Sequence, residues 1–200
     1  MPAGVPRRVG FMGGTFDPVH VGHLAAAVEV RHQLGLDRLL MVVANEPWQK
    51  VRTRAVTPGE DRLAVLEAAI GGAEGLEASS LEIDRGGPSY SVETAEELRR
   101  RWPGAELFMV VGADVAAELH TWERAGELAA MVTLVVMNRS QDRALPTRPG
   151  WRTIAVEVPS IDLSSSQVRE RMRAGRPIDF LVPAAGIRCI RRRGMYSGDR

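Results

Sequence analysis

Val9-Gly10-Phe11-Met12-Gly13-Gly14-Thr15-Phe16-Asp17-Pro18-Val19-His20-Val21-Gly22-His23 is the stretch whose reading decides the fold. Val9 to Met12 is a short apolar strand, turn formers follow it, and a helix comes next. That order opens an α/β unit. The paired Gly13 and Gly14 let backbone amides approach a ligand closely, Asp17-Pro18 sets a turn, and the incoming helix offers unpaired N–H groups with the positive end of its dipole. Anion binding follows from those parts. His20 and His23 stand three apart, so a helix that starts at or just before His20 turns both toward one ligand.

The same alternation of strand and helix continues outward. Leu24 to Leu34 reads as a helix with Leu24, Ala25, Val28 and Leu34 turned inward and Gly35 as its stop. Leu39 to Val43 is an unbroken apolar run, the pattern of a strand covered on both faces. Ala44 to Val56 is a polar, basic loop. Thr57-Pro58-Gly59-Glu60 has the form of a capping box with proline at the first helical position, and Leu63, Leu66 and Ile70 give that helix its stripe before Gly71-Gly72. Leu76 to Ile83 is a weaker strand. A loop at Arg85 to Pro88 leads to a helix from about Val92, with Ala95, Leu98 and Trp102 on one side.

Leu107 to Val111 is another buried strand, running into Gly112-Ala113-Asp114 and a short helical piece. Thr121 reads as the cap of a helix containing Leu128. Thr133 to Met137 and Thr153 to Val158 are the last strands, separated by a turn-rich, arginine-rich segment; Ile154, Val156 and Val158 alternate in the second. Ser164 with Gln167 forms a capping box opening a helix through Arg173, and Pro183 to Ile190 is a final short helix before a polar end, Arg191 to Arg193, read as solvated. Strands alternating with helices predict an α/β fold: a Rossmann-like, doubly wound, mainly parallel sheet with helices on both faces and ligands at the carboxyl ends of the strands. The suspicious loops all lie at that edge.

A chain of 200 residues with 44% hydrophobic content suits a single domain, residues 1–200, with a flexible tail from about 192. Cys189 is the only cysteine, which rules out an intrachain disulfide and a cysteine-rich zinc site and fits a cytoplasmic location. No export signal or membrane-spanning run is seen. The formal net charge of +1 calls for neither nucleic acid nor an acidic membrane, so small partners are expected, with homo-oligomerisation left open. Lys50 is the only lysine in an arginine-rich chain. A compact, flexible ammonium is not interchangeable with a guanidinium, which marks Lys50 as a site candidate.

G-x-G-x-x-G is absent, and so is G-x-x-x-x-G-K-[ST], so neither hydride transfer nor a P-loop is supported. Zinc is disfavoured too, since His32 and His120 lack ligand spacing relative to His20 and His23. Taken alone, two histidines at a helix start are more often structural than catalytic. If the nucleophile at such a site is a phosphate monoester, its second pKa of about 6 leaves it ionised near neutrality with no need of a base. Two anions must then meet and charge must flow to a leaving pyrophosphate, so fixed cationic and N–H donors supply catalysis. A phosphate neighbour lifts histidine above its reference pKa of about 6.5 and makes it a charged donor. Ser164-Ser165-Ser166-Gln167-Val168-Arg169 offers a second helix start, read either as a well-capped helix or as a cradle for distal phosphates.

Gly13 to Pro18 with His20-Val21-Gly22-His23, together with Ser164 to Ser166 and Arg169, resembles the HxGH nucleotidyltransferases, over almost the whole chain. Pro88-Ser89-Tyr90-Ser91 before a helix, and Gly112-Ala113-Asp114 followed by Leu119-His120-Thr121-Trp122, resemble the nicotinate-nucleotide adenylyltransferase branch. The resemblance implies in-line transfer of AMP from Mg-ATP, with Mg2+ carried on the ATP phosphates and no protein metal site, to nicotinate mononucleotide. The products are nicotinate adenine dinucleotide and pyrophosphate, a step of NAD biosynthesis. It implies a catalytic set of His20, His23, Lys50 and Arg169. ATP would meet Gly13, Gly14, Thr15, Phe16, His20, His23 and Gly112, with Asp114 on a ribose hydroxyl and Ser165, Ser166 and Arg169 on the leaving pyrophosphate. Nicotinate mononucleotide would meet Thr15, Lys50, Tyr90, Ser91 and Trp122, the last stacking on the pyridine ring.

Three departures stand out. Pro47-Trp48-Gln49-Lys50 replaces the usual Pro-Pro-His-Lys, Ser91 stands where threonine is usual, and Glu93 where aspartate is usual. The alternatives are a sister enzyme acting on nicotinamide mononucleotide or phosphopantetheine, and a nucleotide sensor without turnover. A nucleic-acid module would want a basic face with stacking aromatics.

Overall fold

The computed structural model describes residues 4–47, 55–138 and 149–197. Six strands form one sheet: β1 (Arg8–Gly14), β2 (Arg38–Val43), β3 (Leu76–Ser79), β4 (Glu106–Gly112), β5 (Thr133–Asn138) and β6 (Thr153–Glu157). Their order is β3-β2-β1-β4-β5-β6, and every neighbouring pair is parallel. Strand order therefore reverses between β1 and β4. In open α/β sheets that reversal leaves a crevice at the carboxyl ends, here at Gly13-Gly14 and Gly112.

The eight helices of the described residues are α1 (Val21–Leu34), α2 (Gly59–Ile70), α3 (Leu81–Arg85), α4 (Ser91–Arg101), α5 (Ala113–Glu118), α6 (Ala125–Met131), α7 (Ser165–Arg173) and α8 (Ala184–Arg192). Side chains alternate across the sheet, so each apolar strand feeds two cores. Leu39, Met41 and Val43 of β2 join Phe108 and Val110 of β4 against α1, α2, α7 and α8 on one face. Leu40 and Val42 join Leu107, Met109 and Val111 against α4, α5 and α6 on the other. Each fully buried leucine or phenylalanine of this kind stabilises the fold by about 1.5–3 kcal/mol. Among the described residues no helix is long and apolar enough to cross a membrane.

Local detail departs from the sequence reading in four places. Val28 is 54% exposed, and α1 buries Ala26, Ala27 and Val30 instead. His23, Ala26, Ala27, Val30 and Leu34 form the inward stripe, so the phase of α1 is set by turning His23 toward the crevice. α2 starts at Gly59 with Pro58 as N-cap and no side-chain cap. Thr57 lies one residue too early, and its carbonyl accepts from Arg62 Nε at 2.7 Å. β3 ends at Ser79 and α3 begins at Leu81, because Glu82 turns in to accept from Thr94 Oγ1 at 2.8 Å. Thr121 does not cap α6: it closes the 3-10 turn Leu119–Thr121, its Oγ1 donating to the Glu118 carbonyl at 2.8 Å. Arg124 is the N-cap of α6, held by Glu96 and Glu127.

Candidate active site

The glycine-rich loop leaves β1 beneath an aromatic ring. A Cβ on Gly14 would lie 2.7 Å from the Phe16 ring, whereas one on Gly13 would meet open space. Phe16 takes a left-handed backbone (φ 47°), a conformation that a phenylalanine adopts only where its surroundings hold it. Its ring stands edge-on to that of His23, with centroids 5.2 Å apart. His20 is the buried N-cap of α1, and His23 follows in the first turn. Their rings lie 3.8 Å apart at 33°, so the sequence expectation that they share one face is met.

Backbone N–H of His20 donates to His23 Nδ1 at 3.3 Å. That contact fixes the orientation of the His23 ring by occupying Nδ1. The same contact leaves Nε2 as the nitrogen of His23 that is available to a ligand. Gly22 sits beneath the pair, where a Cβ would approach His20 Cε1 and Nδ1 to 3.1 Å.

The start of α7 packs on the same loop. Ser164 caps it by accepting from Gln167 N at 3.2 Å, and Gln167 Oε1 accepts from Ser164 N at 2.7 Å. Ser165 Oγ donates to the Pro18 carbonyl at 2.9 Å. Arg169, one turn on, donates from Nη1 to the Asp17 carbonyl at 2.7 Å and from Nη2 to Ser166 Oγ at 3.1 Å. The Asp17 carboxylate is 1% exposed. Its Oδ1 accepts from the Tyr196 phenol at 2.8 Å, and its Oδ2 lies 3.8 Å from Arg169 Nη1. Burial first, and then the Asp17 charge, push the Tyr196 pKa well above the usual phenol value and keep it protonated.

A second set of contacts arranges the other wall. Arg62 of α2, 1% exposed, donates to the carbonyls of Thr57, Thr15 and Asn45 at 2.7, 2.7 and 3.2 Å. The exit of β2 is joined to the turn before α4: Asn45 N donates to Ser89 Oγ at 2.9 Å, Asn45 Nδ2 to the Gly87 carbonyl at 3.0 Å, and Glu46 bridges Pro88. At the end of β4 the Asp114 carboxylate folds back over Gly112, where a Cβ would lie 2.5 Å from Oδ1.

These walls enclose a cavity of about 510 Å3. Gly13, Gly14, Thr15, Phe16, His20 and His23 line one end with Ser165, Ser166 and Arg169. Gly112 lies at the reversal point, and Ser91, Trp122, Ser89 and the buried Glu82 line the rest. Trp122 Nε1 is buried without a hydrogen-bond partner among the described residues. Asp114 and Tyr90 stand beside the cavity rather than in its lining: Asp114 is exposed in the first turn of α5, and Tyr90 is the N-cap of α4. Lys50 falls outside the described residues. No group of three or more metal-ligating side chains comes together among the described residues.

A family model described as cytidylyltransferase-like matches residues 11–171, which span every wall of this cavity. The chain belongs to the cytidylyltransferase-like family. Within that family, a probable nicotinate-nucleotide adenylyltransferase of Corynebacterium kroppenstedtii is 42% identical over 192 residues, covering 94% of this chain and 90% of that protein. One of Saccharopolyspora erythraea is 39% identical over 194 residues, covering 96% and 91%. The solved structure of a Plasmodium falciparum nicotinic acid mononucleotide adenylyltransferase complexed with NaAD superposes with a TM-score of 0.76 at 14% identity, covering 95% of this chain and 97% of that one. At that identity it speaks for the cytidylyltransferase-like fold alone.

Sequence reading misses Arg62, Asp17 as a buried carboxylate, Tyr196 and Glu82. Arg62 has a signal: it precedes Leu66 and Ile70 on the inward stripe of α2, where a lone arginine calls for buried acceptors. Tyr196 has none, because its partner is 179 residues away.

Proposed function

We propose that this chain is a nicotinate-nucleotide adenylyltransferase, which transfers AMP from Mg-ATP to nicotinate mononucleotide. The phosphate oxygen of the acceptor attacks the α-phosphorus of ATP, a new P–O bond forms, the α–β bridging bond breaks, and pyrophosphate leaves with the charge. One observation carries this reading. The starts of α1 and α7, from opposite ends of the chain, meet over one glycine-rich loop at the reversal of strand order, with a half-buried tryptophan along the same cavity.

Such a site works by fixing donors before charge develops. His23 Nε2 and His20 stand at the triphosphate end, with the amide-rich entry of α1 behind them. Arg169 and the Ser166 hydroxyl take the leaving pyrophosphate, with Arg169 anchored on the Asp17 carbonyl; Ser165, whose hydroxyl proton is given to the Pro18 carbonyl, meets it through its backbone N–H at the start of α7. Trp122 stacks on the pyridine ring, Ser91 at the start of α4 faces its carboxylate, and Tyr90 shapes that turn. Asp114 takes a ribose hydroxyl, and Lys50 supplies a mobile ammonium from the loop after β2. Magnesium enters with ATP as part of the substrate. The shared name of the curated relatives supports this acceptor, and the single cysteine fits action in the cytoplasm. Incubation with Mg-ATP and each candidate acceptor, followed by pyrophosphate release, tests it: turnover with nicotinate mononucleotide well above that with nicotinamide mononucleotide or phosphopantetheine is expected, and no turnover with it overturns the proposal.

A further inference from the structure

After α8 the chain does not run off into solvent. Met195 N donates to the Ile190 carbonyl at 3.1 Å, Met195 is buried in the core, and Tyr196 takes a left-handed backbone (φ 59°). For a tyrosine that backbone costs about 1–2 kcal/mol, so the surroundings hold the residue where it stands. What the turn achieves is to seat a phenol against Asp17 Oδ1, directly beneath the glycine-rich loop.

We infer that Tyr196 is a positioning residue for the pyrophosphate end of the site, acting through Asp17 on Arg169. The inference rests on the reading of Arg169 given under Proposed function. Tyr196 holds one carboxylate oxygen, which leaves the other 3.8 Å from Arg169 Nη1, beyond hydrogen-bond length. At that spacing Nη1 is bonded to the Asp17 backbone carbonyl instead, at 2.7 Å, and Arg169 contributes to the cavity lining. Without the phenol, the buried carboxylate loses a donor and turns toward the cation beside it. Closing 3.8 Å to a direct ion pair near 2.8 Å takes about 1 Å of movement shared between the carboxylate and the guanidinium, and a misplacement of about 1 Å can cost up to about 10²-fold where a group must be placed accurately. Tyr196 thus acts by keeping the Asp17 carboxylate off the Arg169 guanidinium.

The test uses the full chain with Tyr196→Phe, Asp17→Asn and the double variant. Phenylalanine keeps the ring and removes only the hydroxyl. Calorimetry with inorganic pyrophosphate, and KM values for Mg-ATP and nicotinate mononucleotide, are compared with thermal midpoints. Tyr196→Phe is expected to weaken pyrophosphate binding and raise the KM for Mg-ATP about tenfold, with the acceptor KM within about twofold. On the Asp17→Asn background, where no carboxylate charge pulls on Arg169, the same change is expected to add less than about twofold. The inference is overturned if pyrophosphate does not bind the parent, if Tyr196→Phe binds it like the parent, if both substrates lose alike as stability falls, or if the cost is undiminished on the Asp17→Asn background. A parent protein that shows the expected pyrophosphate pattern yet does not turn over nicotinate mononucleotide upholds this inference and rejects the proposed acceptor.

Discussion

Gly22→Ala separates stability from activity at one atom. Gly22 is the second residue of α1, where alanine is the better helix former by up to about 1 kcal/mol and also restricts the unfolded chain. Against that, the new Cβ would lie 3.1 Å from two atoms of the His20 ring, when carbon atoms prefer about 3.5–4.0 Å. His20 must therefore give by a few tenths of an ångström. It is 4% exposed and lies against His23 at a centroid distance of 3.8 Å, so the two rings shift together or His20 leaves its rotamer at about 0.5–1.5 kcal/mol.

The stability terms nearly cancel, and the thermal midpoint should stay within a few degrees of the parent. Turnover should not. A shift of a fraction of an ångström in donors built for the transition state should cost about 10-fold or more, with about 10²-fold as the reference for 1 Å. Pyrophosphate release under saturating Mg-ATP and acceptor gives kcat, and differential scanning calorimetry gives the midpoint. The same substitution on a His20→Ala background should cost almost nothing further, since the ring it displaces is gone. Unchanged turnover in Gly22→Ala, or an equal loss with and without the His20 ring, refutes the reasoning.

Arg62→Lys keeps the charge but replaces a fork that reaches three carbonyls with a point donor, leaving about two charge-assisted bonds unmade at about 1.5–3 kcal/mol each; urea unfolding should show a loss of several kcal/mol, and a loss below about 1 kcal/mol counts against Arg62 as the tie between the loops. His23→Ala should lower kcat by about 10²–10³-fold, the cost of one preorganised donor, with near-parental circular dichroism; near-normal turnover rules out its transition-state role. The folded Tyr196 phenol has a raised pKa while the unfolded one titrates near about 10, so its contribution is whole below that pH and is lost as pH rises beyond it. Stability curves of the parent and Tyr196→Phe should therefore converge above about pH 10, and parallel curves contradict the buried phenol.

Strands β1, β2, β4 and β5 can be read from the chain because a parallel strand buried on both faces is an apolar run of the right length. The loop after β1 and the capping box of α7 can be read because their geometry is local: donor, acceptor and turn residue lie within a few positions. What stays hidden is long-range. The order of the strands follows from packing, not from any one segment, and on α1 Val28 is misplaced because it looks more apolar than the small Ala26 and Ala27 that are buried, whereas Leu24 and Leu34 do pack on the core. Arg169 and Asp17 are 152 residues apart and Tyr196 and Asp17 are 179 apart. No periodicity links such pairs, so a buried aspartate reads as part of a turn and the end of the chain as a solvated tail.

The long-range contacts also explain how a loop of exposed peptide groups can serve an anion. Backbone carbonyls carry lone pairs that a triphosphate should not meet unscreened, and a glycine-rich loop has no side chains at its first positions to screen them. Here each of four carbonyls is committed to a donor from elsewhere: Gly14 to Ala44 N at 2.9 Å, Thr15 to Arg62 at 2.7 Å, Asp17 to Arg169 at 2.7 Å and Pro18 to Ser165 Oγ at 2.9 Å. The donors come from the exit of β2, from α2 and from the first turn and a half of α7. Two buried carboxylates near the cavity are treated alike, Asp17 accepting from the Tyr196 hydroxyl and Glu82 from that of Thr94. In the proposed reaction the loop's fitness for a triphosphate rests on residues spread from Ala44 to Tyr196, which is why its own sequence does not suffice to produce it.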